Sequence, residues 1–196
     1  MKRVIVALAA AGLVVAACGG AGSGAATTAP VAVATTAAPT VAPTATPAPT
    51  PANTFVFTTD LSPANVVPPI TDAESSGSGT ATVTVFTAKD STGKIIGANA
   101  KLEVTLKGFP ATTSLVALLA HVGAAGVNGA GIINSGITAD TAVAMPSGGT
   151  SVTKDNLALT PENATALLAN PAGFYVLAHS QVHASGVARG QLKPKA

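Results

Sequence analysis

The chain has 196 residues and a formal net charge of +2, with 47% hydrophobic, 9% charged and only 3% aromatic residues. Removing Lys2 and Arg3, which precede an apolar leader, takes its ten basic residues to eight against eight acidic ones, so the remainder is formally neutral. Neutrality, the lack of a Lys/Arg cluster and the scarcity of aromatic rings exclude the electrostatic footprint and stacking platform of a nucleic-acid binder.

The N-terminus reads MKRVIVALAAAGLVVAACGG, an apolar or small-residue run from Val4 to Ala17 behind two positive charges. A membrane-spanning helix needs roughly 20 such residues, whereas about 7 to 15 behind a positive region form a secretory signal. Residues 1–17 are therefore expected to be a signal peptide. Val15-Ala16-Ala17-Cys18 resembles the lipobox of bacterial lipoproteins; the alternative is ordinary cleavage near Ala17. The resemblance implies that Cys18 becomes the mature N-terminus, with a diacylglyceryl group on its thiol and an acyl chain such as palmitate on its amine. Acyl burial is worth about 0.8 kcal/mol per CH₂ and two chains anchor stably, so the membrane is an expected partner and the extracytoplasmic side of the cell membrane the expected location, periplasmic or at the cell surface. Cys18 is the only cysteine, which leaves no intrachain disulfide and no cysteine-based metal site.

Residues 18–53 follow as an Ala/Thr/Pro-rich segment without a charged side chain, as in TTAAPTVAPTATPAPTPAN. It has little to bury and many prolines that forbid regular pairing, so a disordered stalk is expected. A polyproline II chain of this length reaches on the order of 100 Å when fully extended. Threonines beside prolines suit O-glycosylation.

Residues 54–193 are expected to form one domain with its own core. TFVFTTDL, with Phe55 and Phe57, reads as a strand ended by Pro63 and Pro68-Pro69. In TATVTVF, Ala81, Val83 and Val85 alternate with threonines until Phe86 breaks the pattern, a residue suited to covering a sheet edge. Ala100 to Lys107 is the clearest strand, with Ala100, Leu102, Val104 and Leu106 facing a core and Lys101, Glu103, Thr105 and Lys107 facing water. SLVALLAH, Ser114 to His121, is a continuous apolar run that suits either a doubly buried strand or a short buried helix. GAAGVNGAG, Gly123 to Gly131, lacks the lysine of a phosphate loop and reads as a sheet-to-sheet connection. Ile132-Ile133, Val143 to Met145, Val152 to Leu159, Phe174 to Gln181 and Val187 to Lys193 complete a series of short strands. Thr160-Pro161-Glu162 reads as N-cap, first position and first-turn acid of a short helix that stops at Pro171-Ala172-Gly173. Strands at this spacing form an antiparallel sandwich or Greek-key barrel.

Four segments, in order, resemble the CHRD domain, a module first described in chordin and common in bacterial exported proteins. They are LSPANVVPPI from Leu61 to Ile70, GSGTA from Gly77 to Ala81, AHVGAAGVNG from Ala120 to Gly129, and Gly173-Phe174-Tyr175-Val176 through Arg189-Gly190-Gln191-Leu192. The resemblance implies an all-β, immunoglobulin-like antiparallel β-sandwich with no general activity to carry over. Two departures stand out: Gly123 replaces the second histidine of the usual Ala-His-Ile-His, and Val187-Ala188-Arg189 lacks the acidic residue that commonly precedes the arginine.

Three histidines carry the remaining chemistry: His121, His179 and His183. Residues four apart on a strand share a face but lie roughly 13 Å apart along it, so His179 and His183 are poorly placed to meet at one ion. Val182 to Gly186 reads as a hairpin turn with His183 near its tip, and His121 with His179 is the better pair across neighbouring strands. Two histidines fall short of the three protein ligands of catalytic zinc, and a dismutase-like copper site needs more histidines than the chain has. His179-Ser180 adjacency gives no catalytic triad, because neighbouring strand residues face opposite ways. The carboxylates read as solvent-facing charges. Arg189 and Gln191 share a strand face, with Arg189 expected to pair with a carboxylate across strands. The leading expectation is a non-enzymatic module without a cofactor that binds a protein or glycan or supports the envelope, with His121, His179, Arg189 and Gln191 as candidate contacts. The alternative is a copper- or zinc-binding or redox protein using His121 and His179.

Overall fold

The structure, a computed structural model, describes residues 53–196; the expected signal peptide, Cys18 and the stalk up to residue 52 lie outside the described residues. In chain order the strands are β1 (Asn53–Leu61), β2 (Ser78–Lys89), β3 (Ile95–Lys107), β4 (Ser114–Val122), β5 (Gly131–Asn134), β6 (Val143–Ala144), β7 (Thr150–Ala158), β8 (Phe174–Ser180), β9 (Ala188–Gln191) and β10 (Lys193–Pro194). Among the described residues a single α-helix, α1 (Pro161–Ala169), joins β7 to β8.

Period-two alternation builds the first sheet, ordered β10-β1-β2-β3-β7. Val83 stands opposite Leu102, Ala81 opposite Val104 and Val85 opposite Ala100, so three matched pairs of apolar side chains line one face. Across from them the second sheet, β5-β4-β8-β9 with β6 on the far end of β4, points Leu115, Leu118, Ala120, Val176 and Ala178 into the same core. Burying a side chain of the Val/Leu/Ile class stabilises by about 1.5–3 kcal/mol, so this facing set holds the two layers together. All strand pairings are antiparallel, and the sheets stay open at their edges: the result is a sandwich, not the barrel also expected from strand spacing.

Local chemistry explains where elements begin and end. Thr160 accepts from the Asn163 amide at 3.2 Å, Pro161 opens the helix, and Ala164 and Leu167 bury its inner face against the core. SLVALLAH is a strand. Leu115 stands opposite Ser180 and Ala117 opposite His179, so Val116 is an extra residue on β4. That bulge puts Leu115 and Leu118 on one face at a helix-like spacing of three, which is why periodicity left strand and helix equally open.

Several expectations are corrected. Phe86 does not break the alternation: Thr87 takes the next inward position at 1% exposure, and Phe86 stays on the outer face. Gly123 to Gly131 links β4 to β5 within one sheet. The strand expected over Val143–Met145 stops at Ala144. The one expected over Val187–Lys193 divides, because β9 belongs to the second sheet and β10 pairs with β1 in the first. Ser62 and Arg189 exchange backbone hydrogen bonds of 3.0 and 3.1 Å where the chain crosses between layers. β9 lies so close to β1 there that a Cβ on Gly190 would overlap the Asp60 carbonyl and the Thr59 hydroxyl.

β8 is buried along its whole length. Its inward residues meet the core, and its outward ones are roofed by the segment after β1, where Val66 and Ile70 pack on Tyr175 and Leu177. The Asn128 amide donates to the Val67 carbonyl at 3.0 Å, tying the β4–β5 loop to the same roof. The outer face of the second sheet is thus a covered compartment, separate from the core.

Candidate functional site

On that covered face, alternation places Tyr175, Leu177 and His179 of β8 beside Ala117, Leu119 and His121 of β4, with Arg189 and Gln191 on β9. The register sets His121 opposite Tyr175, and their rings stack at 5.0 Å with a 7° interplanar angle. On Tyr175 also lies the Arg189 guanidinium, 3.6 Å from the ring centre, a cation–π contact. The His179 ring lies 6.0 Å from that of His121, tilted by 39°. Arg189, Tyr175, His121 and His179 therefore form one row of planar groups across three strands.

Each histidine spends one ring nitrogen on the backbone. His121 Nδ1 lies 3.0 Å from the Gly129 carbonyl and His179 Nδ1 3.0 Å from that of Ala184. A carbonyl oxygen only accepts, so both Nδ1 atoms carry the proton and both Nε2 atoms present lone pairs. Both Nε2 atoms are buried without a hydrogen-bond partner. Burial lowers both pKa values below the ordinary imidazole value, opposed by the carbonyl contacts; the Arg189 charge pushes His121 further the same way, and His121 does so for His179. The balance favours the neutral form of both rings.

Arg189 does not pair with a carboxylate as expected. Its guanidinium donates to the carbonyls of Ala124 at 2.8 Å and Val127 at 2.9 Å and to Asn128 Oδ1 at 3.2 Å, gathering the β4–β5 loop around itself. Gln191 shares its face, with its amide donating to the Gly123 and Ala172 carbonyls at 2.6 and 2.8 Å. Between this loop and the roof opens a cleft of about 400 Å³, lined by Asn65, Val66, Pro69, Ala125, Arg189 and Gln191. Gly123 stands at φ +146°, and a Cβ there would press to 2.6 Å from the Val127 carbonyl oxygen. A second histidine at this position has no room on this backbone.

His183 lies in the β8–β9 connection as expected, but it turns away from the other two histidines toward carboxylates. Its Nδ1 is 2.7 Å from Glu74 Oε2 and its Nε2 3.3 Å from Asp72 Oδ2. Glu74 is no solvent-facing charge: at 4% exposure it accepts from Thr113 Oγ1 at 2.8 Å and from Ser180 Oγ at 2.6 Å. The Ser180 hydroxyl in turn accepts from the His183 amide at 2.9 Å. Serine and imidazole both face the carboxylate, an order in which the imidazole cannot take the hydroxyl proton. Nothing in the DAESS segment around Glu74 marks it as buried, and Tyr175 was legible only as part of an apolar run. Among the described residues, no three His, Cys, Asp or Glu side chains are grouped to hold a metal ion.

Two antiparallel sheets, a roofed outer face and a cleft at its rim define a β-sandwich module. The family model of the CHRD domain matches residues 57–192, and the chain belongs to that family of extracellular modules. No curated protein and no solved structure matches it. At the family's acidic position, Val187 is fully buried in the core.

Proposed function

We propose that the chain is a lipid-anchored, extracytoplasmic, non-enzymatic binding module, held by acylated Cys18 at the end of the 18–53 stalk and presenting its cleft to a protein or glycan of the envelope. The observation that carries this reading is the cleft itself. Val66 and Pro69 line it together with Asn65 and Gln191, the mixture of apolar lining and few fixed polar groups typical of ligand sites. The two loops that frame it are fixed from below by Arg189, so the site is preorganised and binding orders little.

The test uses membranes from cells fed labelled palmitate and expressing the wild type, Cys18→Ser or Ala125→Trp. The wild type is expected to take up label and stay with the membrane, and Cys18→Ser to do neither. Labelled envelope glycans and, separately, labelled envelope proteins are then titrated onto the membranes. Saturable capture of one class is expected, weakened about 10-fold or more when tryptophan at the exposed position 125 fills the cleft, since about 1.4 kcal/mol of lost contact is tenfold. Label on Cys18→Ser would end the anchor reading, and equal capture by Ala125→Trp would end the cleft reading.

A further inference from the structure

We infer that His121 and His179 form a two-nitrogen site for a soft monovalent metal ion, copper(I), enclosed beneath the loops on the outer face of the second sheet. The inference stands apart from the cleft reading, because the ion would sit among different groups and could be present with the cleft empty or filled.

Three observations meet here. First, each Nδ1 is committed to a backbone carbonyl, Gly129 for His121 and Ala184 for His179. Metal-binding histidines hold their rings in just this way, with the second nitrogen donating outward so that the first is a fixed, basic ligand. Second, both Nε2 lone pairs are buried and unpartnered, although a buried acceptor left unsatisfied costs about 1–3 kcal/mol. Two such atoms on neighbouring rings call for a common occupant. Third, the ring centres are 6.0 Å apart. Two metal–nitrogen bonds of about 2.0 Å, with about 1.1 Å from each nitrogen to its ring centre, span roughly 6.2 Å when nearly linear.

The donor set chooses the ion. Zinc takes four ligands in structural sites and three protein ligands in catalytic ones, and calcium and magnesium take oxygens. Among the described residues no third His, Cys, Asp or Glu joins the pair. Copper(I), with a filled d shell, is satisfied by two imidazoles in line. The Arg189 cation, which lies on the same Tyr175 ring that His121 stacks against, weighs against a dication more than against a monovalent ion.

The experiment is an anaerobic competition between the untagged full chain, carrying Cys18→Ser so that no thiol contributes, and a chromophoric bidentate copper(I) chelator. One copper(I) per chain is expected. His121→Gln and His179→Gln, which keep bulk and polarity in place, are each expected to weaken binding by more than the 10–100-fold typical of losing an outer-shell partner. His183→Gln is expected to bind as the parent does, and zinc(II) not to compete. Far-ultraviolet circular dichroism of each variant distinguishes a lost ligand from a lost fold. Failure to draw copper(I) from the chelator would overturn the inference and assign the two lone pairs to a bridging water. Stoichiometric binding that survives both glutamine substitutions would overturn it as well.

Discussion

Replacing Glu74 by alanine is expected to lower the unfolding free energy by about 3 kcal/mol or more, a large share of the 5–15 kcal/mol that keeps a typical domain folded. The carboxylate is the common acceptor for Thr113, before β4, and for Ser180 and His183, at the end of β8 and in the turn after it. It also tethers the turn at Ala73–Ser76, where its own amide donates to Asp72 Oδ1 at 2.9 Å. Removing it leaves the Thr113 and Ser180 hydroxyls, both nearly inaccessible to water, without an acceptor, and each such loss costs about 1–3 kcal/mol. Glu74→Gln is expected to fall between the two, because its amide keeps one oxygen but turns a donor toward groups that already donate. Urea unfolding of the three proteins checks this order; a Glu74→Ala midpoint equal to that of the wild type would show that the network contributes nothing.

Arg189→Lys is expected to cost about 2 kcal/mol and to loosen the β4–β5 loop while leaving the core strands protected. The planar fork reaches Ala124, Val127 and Asn128 together while its face lies on Tyr175. A lysine keeps the charge but can meet only part of that set from one point, and it loses the flat contact with the ring. Amide hydrogen exchange gives the readout: residues 124–130 should exchange faster in the variant, with β2 and β3 unchanged. Unaltered protection of the loop would mean that Arg189 does not hold it.

How far the sequence discloses this molecule depends on where each residue's partner lies. Ala100 to Lys107 was legible because one strand between core and water records its two faces in a strict alternation. The α1 boundaries were legible because Thr160 and Pro161 act on their own first turn. β8 was harder: with core beneath and a roof above, Tyr175, Leu177 and His179 are as buried as the residues that face the core, and the pattern that marks a face disappears. The β4 bulge erased the period in a different way, by inserting one residue. Glu74 was illegible for a third reason. Its neighbours in sequence, Asp72 to Ser76, are small or polar and exposed, and its burial is decided by Thr113, Ser180 and His183, up to 109 positions away. Arg189 shows the same limit, since its partners are main-chain oxygens, which no side-chain pattern announces.

The covered outer face of the second sheet carries two imidazoles whose Nδ1 atoms meet backbone carbonyls and whose Nε2 atoms are buried without a partner. Long-range proton–nitrogen correlation spectra of the histidine rings at neutral pH test that most directly. His121 and His179 should both appear as the Nδ1-protonated neutral tautomer, with Nε2 bare, and should stay neutral on acidification past about 6.5, where a free imidazole is half protonated. Nε2-protonated rings, or imidazolium forms at neutral pH, would contradict the account.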